Sequence, residues 1–145
     1  MATILLINGP NLNLLGVRET SIYGAMTLEE INEKVCQLVT LAGHSFETYQ
    51  SNHEGGIVDR IQQAREEGVH FILINPAAYT HTSVAIRDAF LAVSIPFIEL
   101  HLSNPKEREH FRHHSYLSDI AEAVVAGHGP DSYMLAAEAA IKYLN

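Results

Sequence analysis

Short apolar runs alternate with amphipathic stretches along the whole chain. Thr3–Asn8 is a continuous apolar run, the pattern of a strand buried on both faces. A long polar loop over Asn8–Met26 follows, with Gly16 and Gly24 as candidate hinges. Thr27-Leu28-Glu29-Glu30 has the form of a capping box. Leu28, Ile31, Val35, Leu38 and Val39 then recur at helical spacing until Gly43. Ser45–Gln50 reads as a second strand, and Ile57, Val58, Ile61 and Ala64 mark a second helix closed by Gly68. Val69–Asn75 predicts a third, buried strand. Ser83–Val93 predicts a third helix, with Ser83 or Thr82 as its cap. Pro96–Leu102 predicts a fourth strand, Ala123–Ala126 a fifth, and Tyr133–Tyr143 a final alanine-rich helix. Strands and helices in alternation imply an α/β fold, a parallel sheet with helices on both faces. Ligands of such sheets bind at the carboxyl ends of the strands. That rule selects three loops, Asn8–Tyr23, Asn75–Ser83 and His101–Arg112, and the polar residues crowd into them.

The 145 residues fit a single domain, 1–145, with no internal repeat and no linker. A hydrophobic fraction of 47% is ordinary for a folded protein. The formal net charge of -8 argues against a nucleic-acid partner, which needs a basic face. A protein of this charge that binds an anion must gather its few cations locally, so Arg18, Arg87, Arg108 and Arg112 stand out. The single cysteine, Cys36, can form no intrachain disulfide, which points to the reducing cytoplasm. Cys36 lies inside the apolar helical pattern and reads as a buried core thiol. The N-terminus lacks the charged start of a signal peptide, and no stretch is long enough to span a membrane.

Three groups of residues could carry chemistry. In the first loop Arg18 and Tyr23 place a guanidinium near a phenol. A phenol with pKa about 10 is a poor base at neutral pH, and a neighbouring cation favours the phenolate. The plainer alternative is a packed tyrosine and a solvated arginine. In the second loop Asn75 and His81 could both hydrogen-bond hydroxyl groups. On the fourth strand Phe97, Glu99 and His101 alternate onto one face. Glu99 can then accept from one His101 nitrogen and leave the other to exchange a proton. A core histidine satisfied by a carboxylate would look the same in sequence. The backbone amides of Leu102 and Ser103 could hold a carboxylate. His110, His113 and His114 have helical spacing, but no cysteine and no His-Glu-x-x-His accompanies them. A basic rim that attracts an anion is the better reading. No Gly-x-Ser-x-Gly elbow is present, and Lys34, Lys106 and Lys142 lie in no apolar loop pocket.

Six segments in order along nearly the whole chain resemble type II 3-dehydroquinate dehydratase, or type II dehydroquinase. They are Ile7–Asn13, Arg18 with Tyr23-Gly24, Gln50–Gly55, Asn75–Ser83, Glu99–Asn104 and Arg112–Tyr116. Thr20 stands where that family often has proline. The resemblance implies a flavodoxin-like three-layer sandwich with a five-stranded parallel sheet in the order 2-1-3-4-5. It implies a homododecamer built of four trimers. The implied reaction converts 3-dehydroquinate to 3-dehydroshikimate through an enolate, with no metal, no other cofactor and no Schiff base. By position, Tyr23 is the proton acceptor, Arg18 stabilises the tyrosinate, and Asn11 stabilises the enolate through a water. His101, oriented by Glu99, protonates the departing hydroxyl. The amides of Leu102 and Ser103 grip the substrate carboxylate, while Asn75, His81 and Arg112 bind hydroxyls. Asp88 reaches in from a neighbouring subunit, and Arg108 belongs to the lid with Arg18 and Tyr23. A non-catalytic module of the same fold and a metal hydrolase are the rival readings.

Overall fold

In a computed structural model the five expected strands form one parallel sheet in the order β2-β1-β3-β4-β5. The structure describes residues 1–17, 19–23 and 25–145, with Tyr23 described through its backbone only. Central β1 (Thr3–Asn8) buries Ile4, Leu5, Leu6 and Ile7 completely, as a strand covered on both faces must. Its side chains alternate: Ile4 and Leu6 enter one core, Leu5 and Ile7 the other. β2 (Ser45–Gln50) is an edge, β3 (Phe71–Asn75) and β4 (Phe97–His101) are buried, and β5 (Ala123–Ala126) closes the far side.

The long first loop is less irregular than its composition suggests. It contains a 3₁₀ turn at Leu12–Leu14 and a short helix α1 (Thr20–Tyr23). Of the two candidate hinges, Gly16 has φ +93° and Gly24 lies outside the described residues. Helix α2 (Leu28–Leu41) begins with the expected capping box: Glu30 N donates to Thr27 Oγ1 and Thr27 N donates to Glu30 Oε1, each at 3.2 Å. α3 (Glu54–Glu67) ends at Gly68, whose φ of +73° is a conformation that L side chains adopt only with strain. Ser83 caps α4 (Val84–Val93) by accepting from Ile86 N at 2.9 Å. α5 (Asp131–Leu144) starts two residues before the apolar pattern does.

Ile31, Val35 and Val39 of α2 and Tyr133, Ala136, Ala137 and Ala140 of α5 cover one sheet face. Ile57, Ile61 and Ala64 of α3 and Ile86, Ala89 and Phe90 of α4 cover the other. Cys36 corrects the expectation of a core thiol, for it is exposed. The buried stripe of α2 runs through Val35, and the next residue turns about 100° away from it. All-parallel strands in this order make a flavodoxin-like fold, whose switch point lies between β1 and β3.

At that point the two loops press together. Gly9 N donates to Asn75 O at 2.8 Å, and a Cβ on Gly9 would meet Pro76 O at 2.5 Å. Gly9→Ala should therefore force the Pro76 turn outward, costing about 1–3 kcal/mol as overpacking does. Thermal unfolding should show a midpoint several degrees below wild type, and an unchanged midpoint would mean that the turn yields freely.

Candidate active site

Three strands deliver their last residues to one end of the sheet. Asn8 and Asn75 are register partners at the ends of β1 and β3, and His101 closes β4. The loops beyond them form a cleft lined by Asn11, Asn75, His81, His101, Leu102, Ser103, Arg108 and Arg112. Pro10, Leu12, Ala77, Ala78 and Pro105 complete its described wall. Residues that share no local sequence pattern thus converge at the carboxyl edge of the sheet, as the fold requires.

One residue of the cleft wall, His101, belongs to a buried acid–imidazole pair. Glu99 is 1% exposed, and its Oε2 lies 2.5 Å from His101 Nε2. Its other oxygen accepts from Ser115 Oγ at 2.9 Å and Ser118 Oγ at 2.8 Å. Burial pushes the Glu99 carboxyl up, but the bonds from His101, Ser118 and Ser115 and the His101 charge outweigh it. The net direction is downward, so Glu99 stays ionised. A carboxylate can only accept, so Nε2 carries the proton in this bond. Nδ1 is then the nitrogen that can exchange a proton with a molecule in the cleft. The serine donors come from a segment in which the sequence marks no periodicity.

His81 is held in a complementary state. Its Nδ1 donates to the His114 carbonyl at 2.8 Å, which makes Nε2 an acceptor in the neutral ring. Burial, with the neighbouring His101 and Arg112 charges, pushes its pKa down against the bond to His114. Arg112 Nε donates to Glu109 Oε1 at 2.8 Å, and Arg108 Nη1 donates to Ser103 Oγ at 3.3 Å. Both guanidinium groups stand at the cleft wall, fixed by these bonds. Arg87 is held elsewhere: it makes a two-pronged pair with Asp119 at 2.5 and 3.0 Å and donates to the Tyr116 carbonyl.

The histidine cluster braces this wall. His113 Nε2 bonds to the Arg108 carbonyl at 3.1 Å, and the His114 carbonyl is the His81 partner. Among the described residues no three donors are grouped to hold a metal ion. Asn11 takes a left-handed backbone, φ +69°, pinned by its N–H to Asn52 Oδ1 at 2.9 Å. Asn52 is itself fixed, since its carbonyl accepts from Tyr79 Oη at 2.7 Å. Asp88 is exposed on α4 and lines no part of this chain's cleft. Arg18 lies outside the described residues, as does the side chain of Tyr23, whose backbone ends α1.

A model of the family described as dehydroquinase class II matches residues 2–141. This chain belongs to the class II dehydroquinase family. A 3-dehydroquinate dehydratase of Cellvibrio japonicus is 60% identical over 144 residues, which cover 99% of this chain and 97% of that one. The crystal structure of type II dehydroquinase from Butyrivibrio crossotus superposes with a TM-score of 0.93 at 45% identity, covering 97% of each chain. That from Propionibacterium acnes gives 0.92 at 37% identity, covering 98% of this chain and 97% of the other.

Within this class II dehydroquinase scaffold the sequence reading assigned no role to Ser115, Ser118, Asn52, Asn8 or Tyr133. Each is polar and contacts a cleft residue or a residue that positions one. Asn8, Asn52 and Ser115 do fall in the segments Ile7–Asn13, Gln50–Gly55 and Arg112–Tyr116, whereas Ser118 and Tyr133 carry no such mark in the sequence.

Proposed function

We propose that the chain dehydrates 3-dehydroquinate to 3-dehydroshikimate through an enolate, in the shikimate pathway that leads to aromatic amino acids. The single observation that carries this reading is the ionised, buried Glu99 that leaves His101 Nδ1 for the cleft. A hydrogen next to a ketone is weakly acidic, so removing it needs a positioned base and a stabilised oxyanion. Tyr23, made more acidic by Arg18, takes that proton as the tyrosinate, and the electron pair moves to the carbonyl oxygen. Asn11 stabilises the resulting enolate through a water. The enolate then collapses to the conjugated enone as the carbon–oxygen bond breaks, and the imidazolium of His101 protonates the departing hydroxide to water. Transfer of the Tyr23 proton back to His101 through solvent resets the pair.

The amides of Leu102 and Ser103 receive the substrate carboxylate, and Asn75, His81 and Arg112 receive its hydroxyls. The acceptor nitrogen of His81 suits a hydroxyl donor. Arg108, with Arg18 and Tyr23, belongs to the lid over the substrate. Asp88 completes the cleft of a neighbouring subunit in a dodecamer of four trimers; its exposed place on α4, away from its own cleft, supports this. Residues 1–145 act as one catalytic domain, without metal or other cofactor, and the lone cysteine supports a reducing, cytoplasmic setting.

Incubation with 3-dehydroquinate should build the near-ultraviolet absorbance of a conjugated enone. A chain that gives none at micromolar concentration has another function. Light scattering on the same samples should find trimers or larger, and full activity in a monomer would remove Asp88 from the site.

A further inference from the structure

One polar chain in the core ends at Asn75, and two of its members, Tyr133 and Asn8, take no part in the steps above. Tyr133 of α5 is fully buried, yet its hydroxyl donates to Asn8 Oδ1 at 2.6 Å and accepts from Asn75 Nδ2 at 2.9 Å. The three residues come together across 125 and 58 positions of sequence. We propose that Tyr133 and Asn8 are positioning residues for the cleft: they orient the Asn75 amide so that one of its N–H bonds is presented to the ligand. This rests on the dehydratase reading of the cleft.

The direction of the chain follows from one backbone donor. Ala77 N donates to Asn75 Oδ1 at 3.2 Å, which fixes the oxygen side of that amide. Asn75 Nδ2 must then donate to Tyr133, and the Tyr133 proton must go to Asn8 Oδ1. Burial pushes the Tyr133 hydroxyl well above its ordinary pKa, against the weaker effect of Asn75, so the proton stays on it. The second Asn75 N–H is not used by these bonds, and Asn75 lines the cleft. It calls for an acceptor there, such as a hydroxyl or carboxylate oxygen.

A purely structural role fits less well. Phenylalanine would fill the same volume, and two aliphatic side chains at the paired positions 8 and 75 would need no partners. Instead, the arrangement leaves Asn8 Nδ2 buried with no hydrogen-bond partner among the described residues. Such an unpaired donor weakens a fold. Retaining it is reasonable where the amide orientation at the other end of the chain matters.

The test is a double-mutant cycle on KM and kcat with 3-dehydroquinate, using Tyr133→Phe, Asn75→Ala and the pair. Tyr133→Phe should raise KM about tenfold, the effect of one hydrogen bond, with a smaller change in kcat. Adding Tyr133→Phe to Asn75→Ala should change KM by less than about twofold, because the group it positions is gone. Asn8→Ala should show the same non-additivity with a smaller first step. Independent, multiplying effects would overturn the proposal, as would an unchanged KM in Tyr133→Phe. Circular dichroism must show folded variants. If Tyr133→Phe and Asn8→Ala both fail to fold, the proposal is overturned and the chain is a folding element. An inactive wild type would instead refute the dehydratase reading, so the two failures are distinct.

Discussion

Tyr23→Phe should lower turnover of 3-dehydroquinate by about 10²–10⁴, the range expected of a general base, while substrate still binds. The change removes one hydroxyl and keeps the ring. Arg18→Ala should cost activity in a different way. On the proposed role of Arg18, removing the guanidinium should take away the charge that favours the phenolate and so raise the phenol pKa. The rate profile should then move to higher pH, with part of the lost rate returning there. No such recovery is expected for Tyr23→Phe, which has no proton to lose. A pH–rate series on the wild type and both variants separates these outcomes. Substantial turnover by Tyr23→Phe would move the base elsewhere. An unshifted profile in Arg18→Ala would place Arg18 on the enolate or the lid instead of the phenol.

His101→Ala should impair loss of hydroxide more than removal of the proton. Exchange of the labile substrate hydrogen with deuterated water should therefore outlast net dehydration, which should fall about 10²–10⁴-fold. Equal losses in both would mean that His101 is not simply the acid. Glu99→Gln keeps the shape but removes the ionised acceptor. One charge-assisted bond corresponds to about 10–100-fold in turnover. The same carboxylate predicts a pH dependence of stability. Its pKa is lowered in the folded chain, so the folded state binds fewer protons than the unfolded one. The stability it contributes is complete above the ordinary carboxylate range and is lost as pH falls through the lowered value. Melting midpoints should thus fall more steeply with acid in wild type than in Glu99→Gln, and parallel curves would remove Glu99 from the linkage.

Much of the architecture was legible in the chain itself. The apolar run of β1, the capping box at Thr27 and Glu30, and the stop at Gly68 are local patterns, and local patterns set local backbone. Glu99 and His101 were readable as a pair because a strand repeats every two residues, so spacing alone places them side by side. Asn75 and His81 were selected by their position after a strand, and the cleft includes both.

Cys36 was misplaced for a local reason, since the stripe of Ile31, Val35 and Val39 already turns it about 100° away from the sheet. Tertiary structure decided what spacing cannot carry. Two serines find Glu99 because the chain beyond His101 folds back over the end of β4, a path with no periodic code. Asn8, Tyr133 and Asn75 meet because the sheet order puts β1 beside β3 and α5 packs near enough for Tyr133 to bond the last residue of each. Periodicity reports which face of an element is apolar. Which distant polar groups satisfy one another depends on how the elements cross, because a buried hydrogen bond needs its partner within about 3 Å.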